Sequence, residues 1–269
     1  MLSPRSILDE IFDNDEAFQL FCSIAASDES QGGWENGRIA ALVPQSEREL
    51  APKIARHGAD WFRSLGTDAE PGSALVTLTG AVVHPGVYEI PLGALLDDLV
   101  AAAGGLSAPA RAYLIGGYFG TWIDAARTSG LRLSNADLAP LGGGLGARAI
   151  VALPKSACGL TETARVARYL SEQSAGQCGP CVHGLAAIAG GMELLARGDG
   201  RQLPDIERWI GLVTGRGACR HPDGSAKLVG SALTVFADEV RRHTVDRKCT
   251  GNGTPVLPIP KRATTGRTA

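Results

Sequence analysis

Aromatic residues are scarce in this 269-residue chain, at 5%, and neither sign of charge dominates: 26 Lys+Arg stand against 28 Asp+Glu, a net charge of -2. Without a basic field nothing holds a polyanion or an anionic membrane, and without aromatic platforms nothing stacks on bases. Nucleic acid is not an expected partner. No apolar run approaches the roughly 20 residues that span a bilayer, so direct membrane insertion is not expected. The opening stretch MLSPRSILDEIFDNDE is acidic where a secretory signal carries a basic segment before an apolar one, which reads as a cytoplasmic chain. No G-x-G-x-x-G opens a helix after a strand, and Gly32-Gly33 is not a phosphate cradle. What is present is a hydrophobic fraction of 44%, which excludes disorder throughout and leaves room for one large domain or two modest ones.

The apolar pattern divides the chain. Residues 5–22 carry Leu8, Ile11, Phe12, Phe18 and Phe21 at helical spacing, within an N-terminal segment of unassigned status over 1–50. A short linker helix is expected within 51–71, stopped by Gly66 before Pro71-Gly72 turns the chain. From Ala74, ALVTLTG and AVVHPGVYEI read as a hairpin turning at His84-Pro85-Gly86, and LGALLDDLVAAAGG as a helix ended by glycine. Two short apolar runs, Ala112–Ile115 and Ala149–Leu153, follow across glycine-rich connections. Four strands crossed by one helix make a compact α+β unit over 72–154. Beyond Pro154 the period is helical: the faces Leu160–Leu170, Leu185–Leu195, Leu203–Val213 and Val229–Val240 imply a four-helix bundle over 155–245. The Pro/Gly/Thr-rich stretch over 246–269 reads as a flexible tail.

The cysteines carry the chemical signal. Six in a reduced compartment are more often ligands or thiols than structural disulfides. Cys178-Gly179-Pro180-Cys181 lies just before the second bundle helix, and Cys219 lies in the loop between the third and fourth. In an antiparallel bundle those loops share one end, so three sulfurs converge there. Short Cys-x-x-Cys runs with a distant cysteine hold iron–sulfur clusters, and the helix start after Pro180 favours the negative charge. The same residues admit two other uses. Cys178, Cys181, Cys219 and His221 form a Cys3His set for a zinc-stapled interaction module. CGPC is also a thiol–disulfide oxidoreductase pair, although a helix rather than a strand precedes it here.

The residues resemble a known family. IARHGADWFRSLGTDAEPGSALVTLTGAVVHPGVYEIPLG, over 54–93, is similar to the stretch entering the soluble-ligand-binding β-grasp (SLBB) domain of the NADH-binding flavoprotein subunit of complex I, or NADH:quinone oxidoreductase. SEQSAGQCGPCVHG resembles that family's cluster signature, and GRGACRHPDG the loop that donates its fourth cysteine. The resemblance covers about 50–245. It implies a β-grasp (ubiquitin-like) domain followed by a helical iron–sulfur-binding domain. It also implies a [4Fe-4S] cluster on Cys178, Cys181 and Cys219, and partners among the other subunits of an NADH-dependent oxidoreductase, at the cytoplasmic side of a membrane or in a soluble dehydrogenase.

Two departures qualify it. Ala175 stands where the signature has its first cysteine. The cluster is then three-cysteine-ligated, completed by solvent, His183, His221 or Cys249, or it is a [3Fe-4S] species, or it has been lost and the domain is a redox-inactive remnant. The family also places its FMN and NADH site ahead of residue 50, in a glycine-rich domain that has no counterpart in these residues. FMN and NADH are expected only through an absent or partner domain, and autonomous NADH oxidation is not expected. Of the remaining residues, Cys158 and Cys22 are read as small packing hydrophobes, and His57, His84 and His243 as surface residues. Arg216 and Arg220, flanking Cys219, are read as solvated loop arginines or as offsets to cluster charge.

Overall fold

A computed structural model describes residues 56–249 and 251–260. The N-terminal helix pattern over 5–22, Cys22 and part of the linker lie outside the described residues. The first described helix is α1 (Ala59–Arg63). The β-branched run that follows forms β1 (Ser73–Gly80), which pairs antiparallel with β2 (Gly86–Pro91) in the register Thr77 to Val87. Helix α2 (Leu96–Ala102) then buries Leu96 and Leu99 and carries Asp97 and Asp98 in its first turn, where the dipole favours negative charge.

Strands β3 (Ala110–Ile115) and β4 (Thr121–Asp124) form a second antiparallel pair, followed by the short helix α3 (Asn135–Leu138) and β5 (Ala149–Pro154). The sheet has five strands in the order β2-β1-β5-β3-β4, with β1 and β5 parallel and the other pairs antiparallel. The expected four strands are thus one too few. Strand β4 hides in the sequence because only four residues, TWID, form it, behind the Gly116-Gly117 turn.

Helices α4 (Gly159–Glu172), α5 (Ala186–Ala196), α6 (Leu203–Val213) and α7 (His221–Val235) follow, then α8 (Ala237–Arg241). Their inward stripes are those of the sequence pattern: Leu160, Ala164, Ala167 and Leu170; Leu185, Ile188, Met192 and Leu195; Ile206 and Val213; Val229, Ala232, Phe236 and Val240 are all buried. Pro204 and Pro222 sit in the first turns of α6 and α7, where a missing N–H costs nothing.

The pleat of the sheet separates two cores. Ala112, Leu114, Trp122, Val151 and Leu153 face the helices, while Tyr113, Ile115, Ile123, Ile150 and Ala152 face α2. One sheet thus serves both sides, and the helices bury apolar area that belongs to the sheet. The chain beyond the last helix also departs from the flexible tail read from its composition. Leu257 is buried, the backbone N–H groups of Val256 and Leu257 donate to Glu162 Oε2 at 3.1 and 2.7 Å, and the Asn252 N–H donates to the Ser156 carbonyl at 2.9 Å. Backbone hydrogen bonds to a buried carboxylate override a composition rich in proline and glycine. No helix among the described residues is long and apolar enough to cross a membrane.

Candidate metal centre

The turn after α4 carries Cys178 and Cys181. A π-helical turn, Pro180–Leu185, precedes α5 and turns Cys181 inward while leaving His183 exposed. Single π turns recur at functional sites because the extra residue re-aims side chains. Gly184 lets α6 approach: a Cβ there would lie 2.3 Å from Val213 Cγ2, at the end of the helix that leads into the Cys219 loop. Gly217 serves the same loop, since a Cβ there would lie 2.7 Å from the Cys219 carbonyl and 2.8 Å from Pro222 Cγ.

These approaches bring the two cysteine loops together. The backbone amides of Ala218, next to Cys219, and of Cys181 favour negative charge on the Cys178 sulfur and hold its thiol below its ordinary pKa. Cys181 is buried, and its pKa is pushed up to about 12 by desolvation, by its hydrogen bond with Cys178 and by the charges of Cys178 and Cys219. A half-exposed Cys178 whose backbone neighbours favour the charged form, beside a buried Cys181 thiol crowded by negative neighbours, makes a set that a cation bridging the sulfurs relieves. The donor chemistry fits an iron–sulfur centre.

The sequence-named fourth ligands are placed unequally. Ala175 is exposed and offers no donor. His183 also faces solvent. His221 is buried at the start of α7, edge-on to Phe119 at 5.3 Å, and its Nε2 lies 2.9 Å from the Leu170 carbonyl. A carbonyl only accepts, so Nε2 carries the proton and only Nδ1 keeps a lone pair. His221 ties the last turn of α4 to the first turn of α7, the helices that flank the two loops. Arg220 pairs with Asp223 at 3.2 Å, and Arg216 donates to the Leu212 carbonyl at 3.1 Å.

Cys249 lies elsewhere. It groups with Cys158 and His243, whose ligand atoms all lie within 4.8 Å of one another, and among the described residues that is the sole trio of possible ligands so close. Cys158 caps the start of α4, and Cys178 follows its end. Fourteen residues of helix separate them by about 20 Å. One expectation fails here, and another needs an addition. His243, read as a surface residue, is buried, because the π turn Arg242–Asp246 after α8 swings its ring under the protein. Cys158, read as a packing hydrophobe, is indeed buried but has polar neighbours at that ring and at Cys249. Neither placement has a signal in local sequence, since both depend on how the end of the chain returns.

Residues 155–243 match the NADH-ubiquinone oxidoreductase-F iron-sulfur binding region, and residues 75–117 match the SLBB domain. The chain carries both domains, in the arrangement found in the C-terminal part of the F subunit of NADH-quinone oxidoreductase. Curated relatives include the F subunit of Streptomyces coelicolor NADH-quinone oxidoreductase, 29% identical over 221 residues, covering 81% of this chain and 48% of that protein. The F 2 subunit of the Rhizobium meliloti enzyme is 30% identical over 203 residues, covering 74% and 48%. Among solved structures, an NAD+-reducing [NiFe]-hydrogenase in the H2-reduced state shares the fold at TM-score 0.64 and 22% identity, covering 71% of this chain and 33% of that one. The chain spans about half the length of the curated relatives it matches.

Proposed function

We propose that Cys178, Cys181 and Cys219 hold an iron–sulfur centre and that the chain serves as the electron-relaying portion of an NADH-dependent oxidoreductase, with FMN and NADH bound by a partner domain. The observation that carries this reading is the close approach of the Cys219 loop to the Cys178–Cys181 turn, where Gly184 meets Val213, Gly217 meets Cys219 and Pro222, and the Ala218 amide acts on the Cys178 sulfur. An iron–sulfur centre, when bound, supplies one-electron transfer. The protein's share is to hold the thiolates, donate hydrogen bonds to sulfur and limit solvent, and these set the potential. Cys178, Cys181 and Cys219 do not gather all their sulfurs within 4.8 Å. Ligands of one tetrahedral ion would stand about 3.7 Å apart, so this spread speaks against a zinc staple on these three sulfurs. The sheet order β2-β1-β5-β3-β4 supports a β-grasp domain over 72–154, and the four helical faces support a bundle over 155–245.

Iron and acid-labile sulfide analysis of anaerobically purified protein, with low-temperature EPR, tests the reading. Stoichiometric iron and sulfide support it, the spin state separates three-iron from four-iron centres, and protein that takes up neither on reconstitution overturns it. A second reading has its own support. A lowered Cys178 pKa beside a raised Cys181 pKa is the asymmetry of a dithiol oxidoreductase. Disulfide-reductase activity lost in Cys178→Ser and kept in Cys219→Ser would favour it.

A further inference from the structure

At the opposite end of α4 lies a second donor set outside the proposed iron–sulfur centre. Cys158, His243 and Cys249 come from three separate segments: the N-cap of α4, the π turn after α8, and the chain just beyond it. The His243 Nε2 lies 3.4 Å from the Cys158 sulfur. A thiolate and an imidazole bound to one tetrahedral ion at about 2.3 and 2.0 Å stand roughly 3.5 Å apart, so the pair already has the edge length such a site requires. The other ring nitrogen is committed, because Nδ1 donates to the Ala196 carbonyl at 2.7 Å. That bond fixes the tautomer with the Nε2 lone pair aimed at the sulfurs, the usual support of a metal-binding histidine.

The surroundings favour a cation. Cys158 and His243 are buried, and the Glu239 carboxylate, itself buried, adds negative potential at the Cys158 sulfur. Gly251 passes against Cys158, where a Cβ would stand 2.8 Å from Cys158 Cβ and 2.9 Å from its backbone nitrogen. Cys249 alone is exposed, and it lines a cavity of about 960 Å³ between α4 and the C-terminal segment, an entry path for an ion.

We propose that Cys158, His243 and Cys249 form a Cys2His site for a thiophilic divalent ion of the zinc class, with a fourth position left to water. The ion clasps the start of α4 to the chain entering residues 251–260 and so staples the C-terminal segment to the helical core. This site is independent of Cys178, Cys181 and Cys219.

The test titrates Zn(II) and Co(II) into the reduced 269-residue chain, with iron and sulfide measured in the same samples. One equivalent of zinc retained through gel filtration is expected, with the visible bands of tetrahedral cobalt–thiolate on substitution. Cys249→Ser, at an exposed position, should keep the fold and its iron but weaken zinc binding by more than the roughly 10–100-fold that loss of an outer partner brings. Zinc should also slow proteolysis between residues 246 and 250 in the parent and not in the variant. Cys219→Ser should do the reverse, losing iron and keeping zinc. A parent that binds no zinc, or zinc that survives Cys249→Ser and is lost with Cys219→Ser, overturns the proposal while leaving the iron–sulfur reading to its own assay.

Discussion

The Trp122 indole N–H donates to Thr163 Oγ1 at 3.0 Å, both side chains buried, and so ties the shortest strand of the sheet to helix α4. The same ring meets Phe236 edge-on at 5.1 Å, and the Trp122 backbone N–H donates to Ser231 Oγ at 3.0 Å. One residue of β4 thus contacts α4, α7 and the junction before α8. The sheet and the helices share a core through it, which implies that they unfold together.

Thr163→Val keeps the volume and leaves the indole N–H unpaired, at a cost of about 1–3 kcal/mol. Phe236→Ala opens a cavity between sheet and helices and should cost about 3–5 kcal/mol. Urea unfolding followed by tryptophan fluorescence and by far-ultraviolet circular dichroism checks both. Coincident transitions are expected, and two separated ones would mean that the layers fold independently.

Arg111 makes a second clasp. From β3 its guanidinium donates to Asp124 and to Asp238, each at 2.7 Å, and stands 3.8 Å from the buried carboxylate of Glu239. Arg111→Met strands Glu239 without its cation and should destabilise by roughly 2–4 kcal/mol, read as a lowered Tm. The clasp also titrates. Burial alone would raise the Asp124 pKa, but the Ala126 N–H and the Arg111 guanidinium outweigh it and hold the group below its ordinary value. Glu193 is likewise held low by Arg168. A carboxylate with a depressed folded pKa contributes stability that is complete above its unfolded value and lost as pH falls through the folded one. The Tm should therefore be nearly flat from about pH 7 to 5 and fall below about pH 4, with a shallower fall in Arg111→Met.

The two thiols of the CGPC turn should differ in the metal-free chain. Cys178 is half-exposed with a lowered pKa, while Cys181 is buried with its pKa pushed up to about 12. Iodoacetamide at pH 7 should label Cys178 at least about tenfold faster, because the thiolate is the reacting form. Peptide mass spectrometry over a time course reads the ratio, and equal rates would contradict the lowered pKa of Cys178. After cluster reconstitution both should be protected.

Cys219→Ser removes the proposed ligand that crosses between the loops. Visible absorption and iron content should fall to a small fraction of the parent's, and the Tm should drop toward that of the metal-free parent. Cys158→Ala should leave the absorption intact, since the length of α4 separates the two ends.

Local residues alone made much of this legible. Val, Leu and Thr in alternation wrote β1, and the helical faces of Leu160–Leu170 and Leu185–Leu195 wrote α4 and α5, because burial on one face imposes a period that a sequence displays. The CGPC turn and Cys219 could be named as a candidate donor set from their spacing alone. Tertiary structure decided the rest. Strand β4 exists because Trp122 finds Thr163 and Phe236, partners 41 and 114 positions away, which four residues of local sequence cannot announce. The same holds for Cys158, His243 and Cys249. Ninety residues separate the first from the last, so their meeting depends on the path of the returning C-terminal segment and not on any motif. Periodicity is a property of a segment and is readable there, whereas convergence of distant side chains is a property of the folded whole.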